Sequence, residues 1–559
     1  MVASAAEWAP MPERRASDVF VECLEAEGVS YVFGIPGEET LDLNESLAGS
    51  SVQFVPVRHE QGGAFMANMV GRLTGRAGVC LGTLGPGALN LVTPVADAFL
   101  DRAPLVALTG QADLERMHKE SHQFIDLVDV MRSITKWNTR LTSPNIIPEV
   151  VRKAFKVAQA QKPGATHIEL PEDVMGADLD AVALPSRRGI RRPEPSAQEL
   201  FKGVETIRRA LNPVILAGNG VARTGAAPAL REFVRVTGIP VAETFMGKGV
   251  IDADDPSALG TVGLQDRDYA LAGFEDADVV ICVGYDLVEH APSHWNPGRD
   301  KTIVCIDTLS PEVDAYFITE VDLIGDLYHI LGRLTEECRD APFQGSGSRR
   351  LNDLVAGRFA AAAGDDAFPM QPPRALWELR AALGPRDILV SDVGLHKLWI
   401  GRMFPAHEPN TVMIANGLAG MGFALPGAIA ASLVHPDRKV VAVAGDGGFL
   451  MNCQELETAA RLRTPVVTVI WENRQFGSIV WKQDKKFGRH FGVDFTNPDF
   501  VALAQSFGLP AWRCEEPGDL GAHLRRALDS DVPSLVVLPI DYSLDVTMSE
   551  QLGHETVAT

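Results

Sequence analysis

The chain has 559 residues, too many for one hydrophobic core, and its 46% apolar and 22% charged residues are typical of a globular protein of about three domains. Its net charge of −22 argues against nucleic acid or an anionic membrane surface as a partner. No apolar run approaches the roughly 20 residues that a membrane span needs. Seven scattered cysteines without a Cys-x-x-Cys pair predict reduced thiols in a cytoplasmic protein.

Two segments rich in Pro, Gly, Ser and Arg predict linkers at 185–199 and 339–350. They divide the chain into blocks of domain size at 13–185, 195–340 and 365–545. The first and third blocks alternate helical stretches with short apolar runs that end in turn or polar residues, such as GVCLGTLGPG and KVVAVAGDGG. This pattern predicts an α/β protein with a doubly wound parallel sheet in each of these blocks. The middle block, with PVILAGNGVARTG and DVVICVGYD, is predicted to be a third α/β domain.

The first block offers polar candidates for a site. Glu60 ends the apolar run VQFVPVRHE and is followed by a helix rich in small residues. A carboxyl buried at the ligand edge of a sheet could exchange protons with a heterocycle. A solvated or capping glutamate is the commoner role, and the residues alone leave both open. His122 and Gln123 precede an apolar helix, where a surface loop is the alternative to a site.

The middle block contains the turn GNGVARTG. It has Gly-x-Gly but carries Arg223 where a dinucleotide fingerprint has its third glycine. It is either a plain tight turn or a nucleotide site, and both interpretations stay open.

In the third block, an apolar strand predicted at 440–444 runs into Gly-Asp-Gly-Gly, and a second strand is predicted at 466–471. Asn452 with Glu455 three residues later predicts a capping box that opens the helix between the strands. The order strand, helix, strand predicts a right-handed crossover with parallel strands.

In such a crossover, Asp446 and Asn473 meet at the edge of the sheet where ligands bind. A carboxylate and an amide oxygen suit Mg²⁺, and the glycines and the helix start offer N–H groups to phosphates. The alternative is a glycine-rich turn with the aspartate as an ordinary cap. Leu450 excludes a Gly-x-Gly-x-x-Gly fingerprint here.

Several of these segments resemble one known family. AGDGGFLMN followed by WEN resembles the thiamine diphosphate-binding motif. VFGIPGEETLDL, RHEQGGAFMANMVGRLTG and SDVGLHKLW resemble segments of thiamine diphosphate-dependent enzymes of the acetolactate synthase group. The resemblance implies a pyrimidine-binding domain at 13–185, a central domain at 195–340 and a diphosphate-binding domain at 365–545. It also implies active sites between subunits, so that a homodimer is the smallest unit and a homotetramer is common.

The resemblance assigns the cofactor contacts residue by residue. The implied Mg²⁺ ligands are Asp446, Asn473 and the backbone carbonyl of Gln475. The implied diphosphate contacts are Gly394, His396, Gly447 and Gly448.

Further implied contacts concern the rings of the cofactor and the substrate. The Ala419 carbonyl would accept from the 4′-amino group, and Met421 would bend the cofactor into its V shape. Glu60 would hydrogen-bond the pyrimidine N1′. Gln111 and Gln123 would line the pocket of the donor substrate.

The implied reaction is decarboxylation of pyruvate and ligation of the remaining unit to a second 2-oxo acid, which gives 2-acetolactate. The alternative is a related 2-oxo acid decarboxylase or a synthase with another acceptor. His122 stands where biosynthetic acetolactate synthases usually carry Phe, while Ser478 and Lys482 replace a usual Met and Trp. The acceptor, and with it a role in branched-chain amino acid biosynthesis, therefore stays open. Flavin (FAD), which some relatives bind in the central domain, is undecided.

Overall fold

A computed structural model describes residues 14–186, 193–263, 272–340, 343 and 348–544. The chain forms two compact units, residues 1–189 and 190–559, of which the first holds one six-stranded sheet and the second holds two. The predicted linkers lie partly, and the tail after residue 545 wholly, outside the described residues. No helix in the described ranges is long and apolar enough to cross a membrane.

The sheet of the first unit is entirely parallel. Its strands are β1 (Tyr31–Gly34), β2 (Gln53–Pro56), β3 (Gly78–Gly82), β4 (Leu105–Gln111), β5 (Trp137–Arg140) and β6 (Ala165–Pro171). Its helices are α1 (Ala16–Glu27), α2 (Leu41–Ala48), α3 (Glu60–Thr74), α4 (Pro86–Asn90), α5 (Val92–Leu100), α6 (Leu127–Met131), α7 (Ile147–Gln159) and α8 (Glu172–Met175). The strand order is β2-β1-β3-β4-β6-β5. Strands β3, β4 and β6 are buried throughout, as expected for a parallel sheet covered on both faces.

The second unit begins with another parallel sheet. Its strands are β7 (Pro213–Ala217), β8 (Val241–Thr244), β9 (Ala258–Val262), β10 (Val279–Val283), β11 (Thr302–Asp307) and β12 (Thr319–Ile324). The helices are α9 (Ala197–Arg209), α10 (Asn219–Arg223), α11 (Ala227–Thr237), α12 (Ala272–Glu275), α13 (Pro292–Trp295) and α14 (Leu327–Cys338). The order β12-β11-β10-β7-β8-β9 is that of a dinucleotide-binding fold, and its switch point lies between β7 and β10.

The third sheet, also parallel, follows helix α15 (Ser348–Ala361). Its strands are β13 (Ile388–Ser391), β14 (Val412–Ile414), β15 (Val440–Gly445), β16 (Val466–Glu472), β17 (Ala511–Arg513) and β18 (Ser534–Pro539). The helices are α16 (Pro372–Ala382), α17 (Leu395–Met403), α18 (Ala424–Val434), α19 (Asp446–Asn452), α20 (Glu455–Leu462), α21 (Gly477–Phe487), α22 (Phe500–Ser506) and α23 (Asp519–Leu528). The order β14-β13-β15-β16-β18-β17 repeats that of the first sheet strand for strand. The predicted α/β class with three parallel sheets is therefore confirmed.

Two local predictions are wrong. The helix after β15 begins at Asp446, and the predicted capping box is absent: Asn452 ends α19, and Gln454 is the N-cap of α20. The Asn452 side chain instead donates to the Gly422 carbonyl at 2.8 Å, so it is not available as a cap. Glu60 is the first residue of α3 rather than the end of β2, which stops at Pro56.

Candidate active site

Asp446 joins the ends of β15 and β16. Its Oδ2 accepts from the backbone N–H groups of Asn473 at 3.1 Å and Arg474 at 2.6 Å, and from the Asn497 side chain at 2.9 Å. Its Oδ1 accepts from the N–H of Gly447, at 2.9 Å, and from no other group in the described part of the chain. The carboxylate is 1% exposed. The structure thus brings Asp446 and Asn473 together at the carboxyl edge of the sheet, as the crossover predicted.

The oxygen atoms at this edge that are still free to bind a cation suit a magnesium ion. Oδ1 of Asp446 keeps lone-pair capacity, and the Asn473 side chain makes no hydrogen bond within the described part of the chain. The Gln475 side chain is held by its Nε2, which donates to Asp494 at 2.7 Å, and its backbone carbonyl is the oxygen that the resemblance assigns to the ion. Carboxylate, amide and carbonyl oxygens are the hard donors that Mg²⁺ prefers.

Glycines beside this edge leave room for a ligand. A methyl group added at Gly447 would lie 2.8 Å from the Phe476 ring, and one added at Gly394 would lie 2.7 Å from the His396 ring. A methyl group on Gly448 would lie 3.1 Å from Oδ1 of Asp392. A side chain at these places would therefore fill the space beside the starts of α17 and α19. The predicted diphosphate contacts thus come together at one edge of the sheet.

His396 presents an unsatisfied nitrogen to this space. The side chain is 2% exposed, and Nε2 has no hydrogen-bond partner in the ranges that the structure describes. Burial lowers its pKa to about 3, so the imidazole is neutral in the protein alone. An anion beside Nε2 would favour the protonated ring, which donates from both nitrogens. The residue fits a diphosphate contact.

Asp392, at the end of β13, is a site residue that the sequence analysis missed. It is 1% exposed and accepts from the backbone N–H groups of Val393 at 2.7 Å, Gly422 at 3.0 Å and Ala424 at 3.2 Å. Burial raises its pKa to about 6, although these hydrogen bonds act in the opposite direction. Its signal was an aspartate directly after an apolar strand, the same pattern that drew attention to Asp446.

The loop before α18 carries the backbone positions predicted to face the cofactor rings. Ala419 has φ +60°, a left-handed conformation that costs a non-glycine residue energy, and Gly422 has φ +86°. The loop is held at one end by Asp392 and at the other by Asn416, which donates to the Glu289 carbonyl at 3.2 Å. Met421 is half-buried within it. An imposed left-handed alanine is typical of a loop whose backbone has a function.

Glu60, in the first unit, is a buried carboxylate without a counter-ion. It is 6% exposed, and its Oε2 accepts from Asn90 at 3.0 Å. Oε1 lies 3.1 Å from where a methyl group on Gly87 would stand, so that glycine keeps space open beside it. No ion pair joins Glu60 to a cation among the described residues. One carboxylate oxygen is therefore available to a ligand.

The predicted donor-pocket residues have different surroundings. Gln123 is exposed, with φ +58°, and a methyl group added at Gly85 would lie 2.7 Å from its carbonyl oxygen. His122 beside it is also exposed. Gln111 is fully buried and uses its amide on Glu169 at 2.7 Å and on the Ile125 carbonyl at 3.0 Å. Its side chain is committed within the protein, and its place in a substrate pocket stays a prediction.

Helix α21 carries the predicted acceptor positions and covers a cavity of about 590 Å³ at the ends of β16 and β18. None of its residues is buried. Lys482 is exposed and Ser478 half-buried, while Val480 and Trp481 line the cavity.

The turn GNGVARTG sits at the switch point of the middle sheet, where a dinucleotide would place its phosphates, but a carboxylate fills that position. The Asn219 N–H donates to both oxygens of Glu289, at 3.2 and 3.0 Å, and Thr244 also donates to it. Arg223, in the third-glycine position, forms an ion pair with Asp286 at 2.9 Å. A second anion would meet two carboxylates here, so these residues do not fit the phosphates of a flavin dinucleotide.

The sequence matches the three domain families of one class of enzyme. Residues 14–131 match "Thiamine pyrophosphate enzyme, N-terminal TPP binding domain". Residues 202–334 match the central domain and residues 392–538 the C-terminal TPP binding domain of the same enzymes. The chain therefore belongs to the thiamine pyrophosphate enzymes.

Its relatives narrow the type. "Acetolactate synthase" of Bacillus subtilis is 35% identical over 97% of this chain and 96% of its own length. "Acetolactate synthase, catabolic" of Raoultella terrigena is 34% identical over 97% and 98%, and "Probable acetolactate synthase large subunit" of Methanococcus aeolicus is 34% identical over 95% and 93%. The protein is an enzyme of the acetolactate synthase type.

Proposed function

We propose that this enzyme decarboxylates pyruvate and joins the remaining two-carbon unit to a second pyruvate, giving 2-acetolactate. The observation that carries the proposal is the presence of two sites in one chain: a buried Glu60 that has no counter-ion among the described residues, and the Asp446–Asn473 edge with its glycines. The first suits proton exchange with a heterocycle, and the second suits a metal-bound diphosphate. The full-length similarity to acetolactate synthases supports this reaction over a simple decarboxylation.

Thiamine diphosphate, when bound, supplies a nucleophilic ring carbon and an electron sink for decarboxylation of a 2-oxo acid. We assign the protein's part as follows. Glu60 holds or releases a proton at Oε1, the oxygen that Asn90 does not occupy. The Ala419 carbonyl, fixed by its left-handed backbone, accepts from the amino group of the pyrimidine, and Met421 supports the ring pair. Gln123 and His122 belong to the same unit as Glu60 and are assigned to the substrate.

The charged end of the cofactor is assigned to the second unit. Asp446, Asn473 and the Gln475 carbonyl would hold Mg²⁺. His396 and the backbone around Gly394, Gly447 and Gly448 would hold the diphosphate, and the unsatisfied Nε2 of His396 supports this assignment. The domain boundaries 13–185, 195–340 and 365–545 are part of the same proposal.

We propose that catalysis needs no flavin at the central turn, because Glu289 already accepts from the Asn219 N–H there. Flavin added to the purified enzyme should neither stay bound through gel filtration nor change the rate. Retention of one flavin per chain, seen as absorbance near 450 nm, would reject this part of the proposal.

A second copy of the chain is expected to complete the site, in a homodimer or homotetramer. Large apolar side chains are exposed around the cofactor loops of the second unit, with Leu418 at 41%, Met451 at 43% and Ile479 at 44% exposure. Exposed apolar side chains clustered in this way mark an interaction surface. Light scattering of the purified protein would give the number of chains in the assembly.

The seven free cysteines support a reducing compartment such as the cytoplasm.

The first experiment is product analysis after incubation with pyruvate, thiamine diphosphate and Mg²⁺. We expect 2-acetolactate as the main product; free acetaldehyde as the main product would mean a decarboxylase instead. Glu60→Gln should lower kcat by about 100-fold or more while the cofactor still binds, since general acid–base groups contribute about 10²–10⁴-fold. Glu149→Gln, an exposed glutamate on α7, is the matched control. Full activity of Glu60→Gln would remove the proton-transfer role.

A further inference from the structure

A second cavity lies in the second unit, away from the edge of the third sheet at Asp446. It has a volume of about 320 Å³ and is bounded by the edge strand β9, helix α15 and the segment that follows α17. Its apolar wall includes Leu259, Phe359, Met403 and Phe404. A cavity of this size, with an apolar wall and a few polar groups, has the make-up of a small-molecule site. None of the residues assigned above to the cofactor or the substrates lines it.

Lys248 is the polar group on which the argument depends. Lys248 lines the cavity, its side chain is 5% exposed, and its Nζ donates to Thr261 Oγ1 at 3.0 Å, its one hydrogen bond among the described residues. The nearest carboxylate oxygen, Oε1 of Glu243, is 3.9 Å away, beyond hydrogen-bond reach. Within the described residues the ammonium thus has N–H groups to spare, and buried donors without acceptors are costly.

The charges around the cavity favour an anion. Burial raises the pKa of Glu243 to about 7 and lowers that of Lys248, so the pair carries no net charge, and a carboxylate bound at Nζ would favour the ammonium form of Lys248. Glu243 is also occupied, because its Oε2 accepts from the Gly249 N–H at 2.9 Å. The guanidinium of Arg380 on the cavity wall donates to the carbonyls of Pro405 at 3.0 Å, Leu383 at 2.8 Å and Gly384, and it is attracted by the Asp387 carboxylate, so it adds positive charge to the wall but is already bound within the protein.

The cavity is reachable from solvent and is linked to the cofactor site by one helix. Asp254, 84% exposed, and His407 stand at its opening. Helix α17 starts beside His396 and ends at Met403 in the cavity wall, a span of about 13 Å at 1.5 Å per residue. A ligand here would therefore touch the far end of the helix whose start is assigned to the diphosphate.

The geometry points to a binding site for a small aliphatic monocarboxylate, with its carboxylate on Lys248 Nζ and its apolar body against Leu259, Phe359 and Met403. A neutral ligand would leave the spare N–H groups of Lys248 unsatisfied. A phosphate dianion would place two negative charges near the Glu243 carboxyl. A monocarboxylate places only one there and is therefore repelled less. The site is independent of the reaction proposed above, because it is tested by binding and not by turnover.

The test is calorimetric titration of the full-length protein at pH 7 with butyrate, and with butyramide as its uncharged isostere. We expect saturable binding of butyrate and at least tenfold weaker binding of butyramide. Lys248→Met should weaken butyrate binding about tenfold or more, whereas Lys439→Met, at an exposed lysine, should not. Equal binding by Lys248→Met and the wild type would place butyrate elsewhere, including the substrate site, and would overturn the proposal.

Two further variants keep the test decisive if Lys248→Met folds poorly. Glu243→Gln with Lys248→Met removes both charges at nearly constant volume and should also lose butyrate. Ala356→Trp, at an exposed cavity-lining position of α15, should block the space, while Ala360→Trp on the same helix lies outside the lining and should bind normally. Unchanged binding in Ala356→Trp, or no saturable binding of butyrate by the wild type, would refute the site.

Discussion

Asp446 and Asn473 are assigned the same role as metal ligands, but the structure predicts losses of stability of very different size when each is removed. The Asp446 carboxylate accepts four N–H groups, from Gly447, Asn473, Arg474 and Asn497. The Asn473 side chain makes no hydrogen bond among the described residues. Asp446→Ala therefore damages the fold and the metal site together, whereas Asn473→Ala removes only a ligand.

The magnitudes follow from these contacts. Leaving a buried donor unsatisfied costs about 1–3 kcal/mol, more when the lost partner is charged. Water can reach some of the four donors, because Asn473 is half-buried and Arg474 exposed. Two lasting losses then give about 3–5 kcal/mol for Asp446→Ala, a large part of the roughly 5–15 kcal/mol that holds a domain folded. Asn473→Ala should cost less than about 1 kcal/mol.

The assay is urea unfolding without cofactor, followed by the combined fluorescence of the eight tryptophans, together with Mg²⁺-dependent binding of thiamine diphosphate. Both variants should lose Mg²⁺-dependent binding. Only Asp446→Ala should unfold at a clearly lower urea concentration. An unchanged midpoint for Asp446→Ala, or equal shifts for the two variants, would refute the reasoning from the hydrogen bonds.

Two more predictions concern neighbouring groups. Gly87→Ala should lower kcat at least about tenfold, because the added methyl group would stand 3.1 Å from Oε1 of Glu60, and it should cost some stability, because the methyl group would also stand 2.9 Å from Cγ2 of Thr83. Gly332→Ala, where a methyl group meets nothing within 4 Å, is the control, and equal activities would contradict the prediction. The raised pKa of Asp392, about 6, means that the folded protein binds this proton more tightly than the unfolded chain. Stability should therefore fall by about 3 kcal/mol as pH rises from about 4 to about 6. Asp392→Asn, compared by urea titration across that range, should lack this contribution, and an identical pH profile would exclude it.

The meeting of Asp446 and Asn473 could be predicted from the sequence because it needs only two apolar strands, a helix between them and the handedness of the crossover. Asp392 could not be assigned its role in the same way, since its partners Gly422 and Ala424 are about 30 residues away and are set by the path of a loop. The capping box at Asn452 failed for the same reason. A local pattern suggested a cap, but a tertiary hydrogen bond to Gly422 uses that side chain.

The sequence predicted that the first and third blocks both form doubly wound parallel sheets, but not that the two sheets share one strand order. For the turn GNGVARTG in the middle block, the sequence did not decide between a tight turn and a nucleotide site. The residues of the turn alone could not show whether it binds a nucleotide, because the carboxylate that accepts from its N–H, that of Glu289, lies 70 residues further along the chain. Spacing rules within a motif carry no information about such a distant substitute.

The carboxylate of Glu289 has a consequence for how the enzyme depends on its surroundings. A domain whose helix start is completed by a diffusible ligand gains stability that grows with the ligand's concentration, and it loses that stability when the ligand is scarce. Here the completing group is covalently part of the chain, at an effectively constant local concentration. The middle domain should therefore fold to the same extent in flavin-starved and flavin-replete cells, so that the amount of folded enzyme does not depend on the supply of flavin.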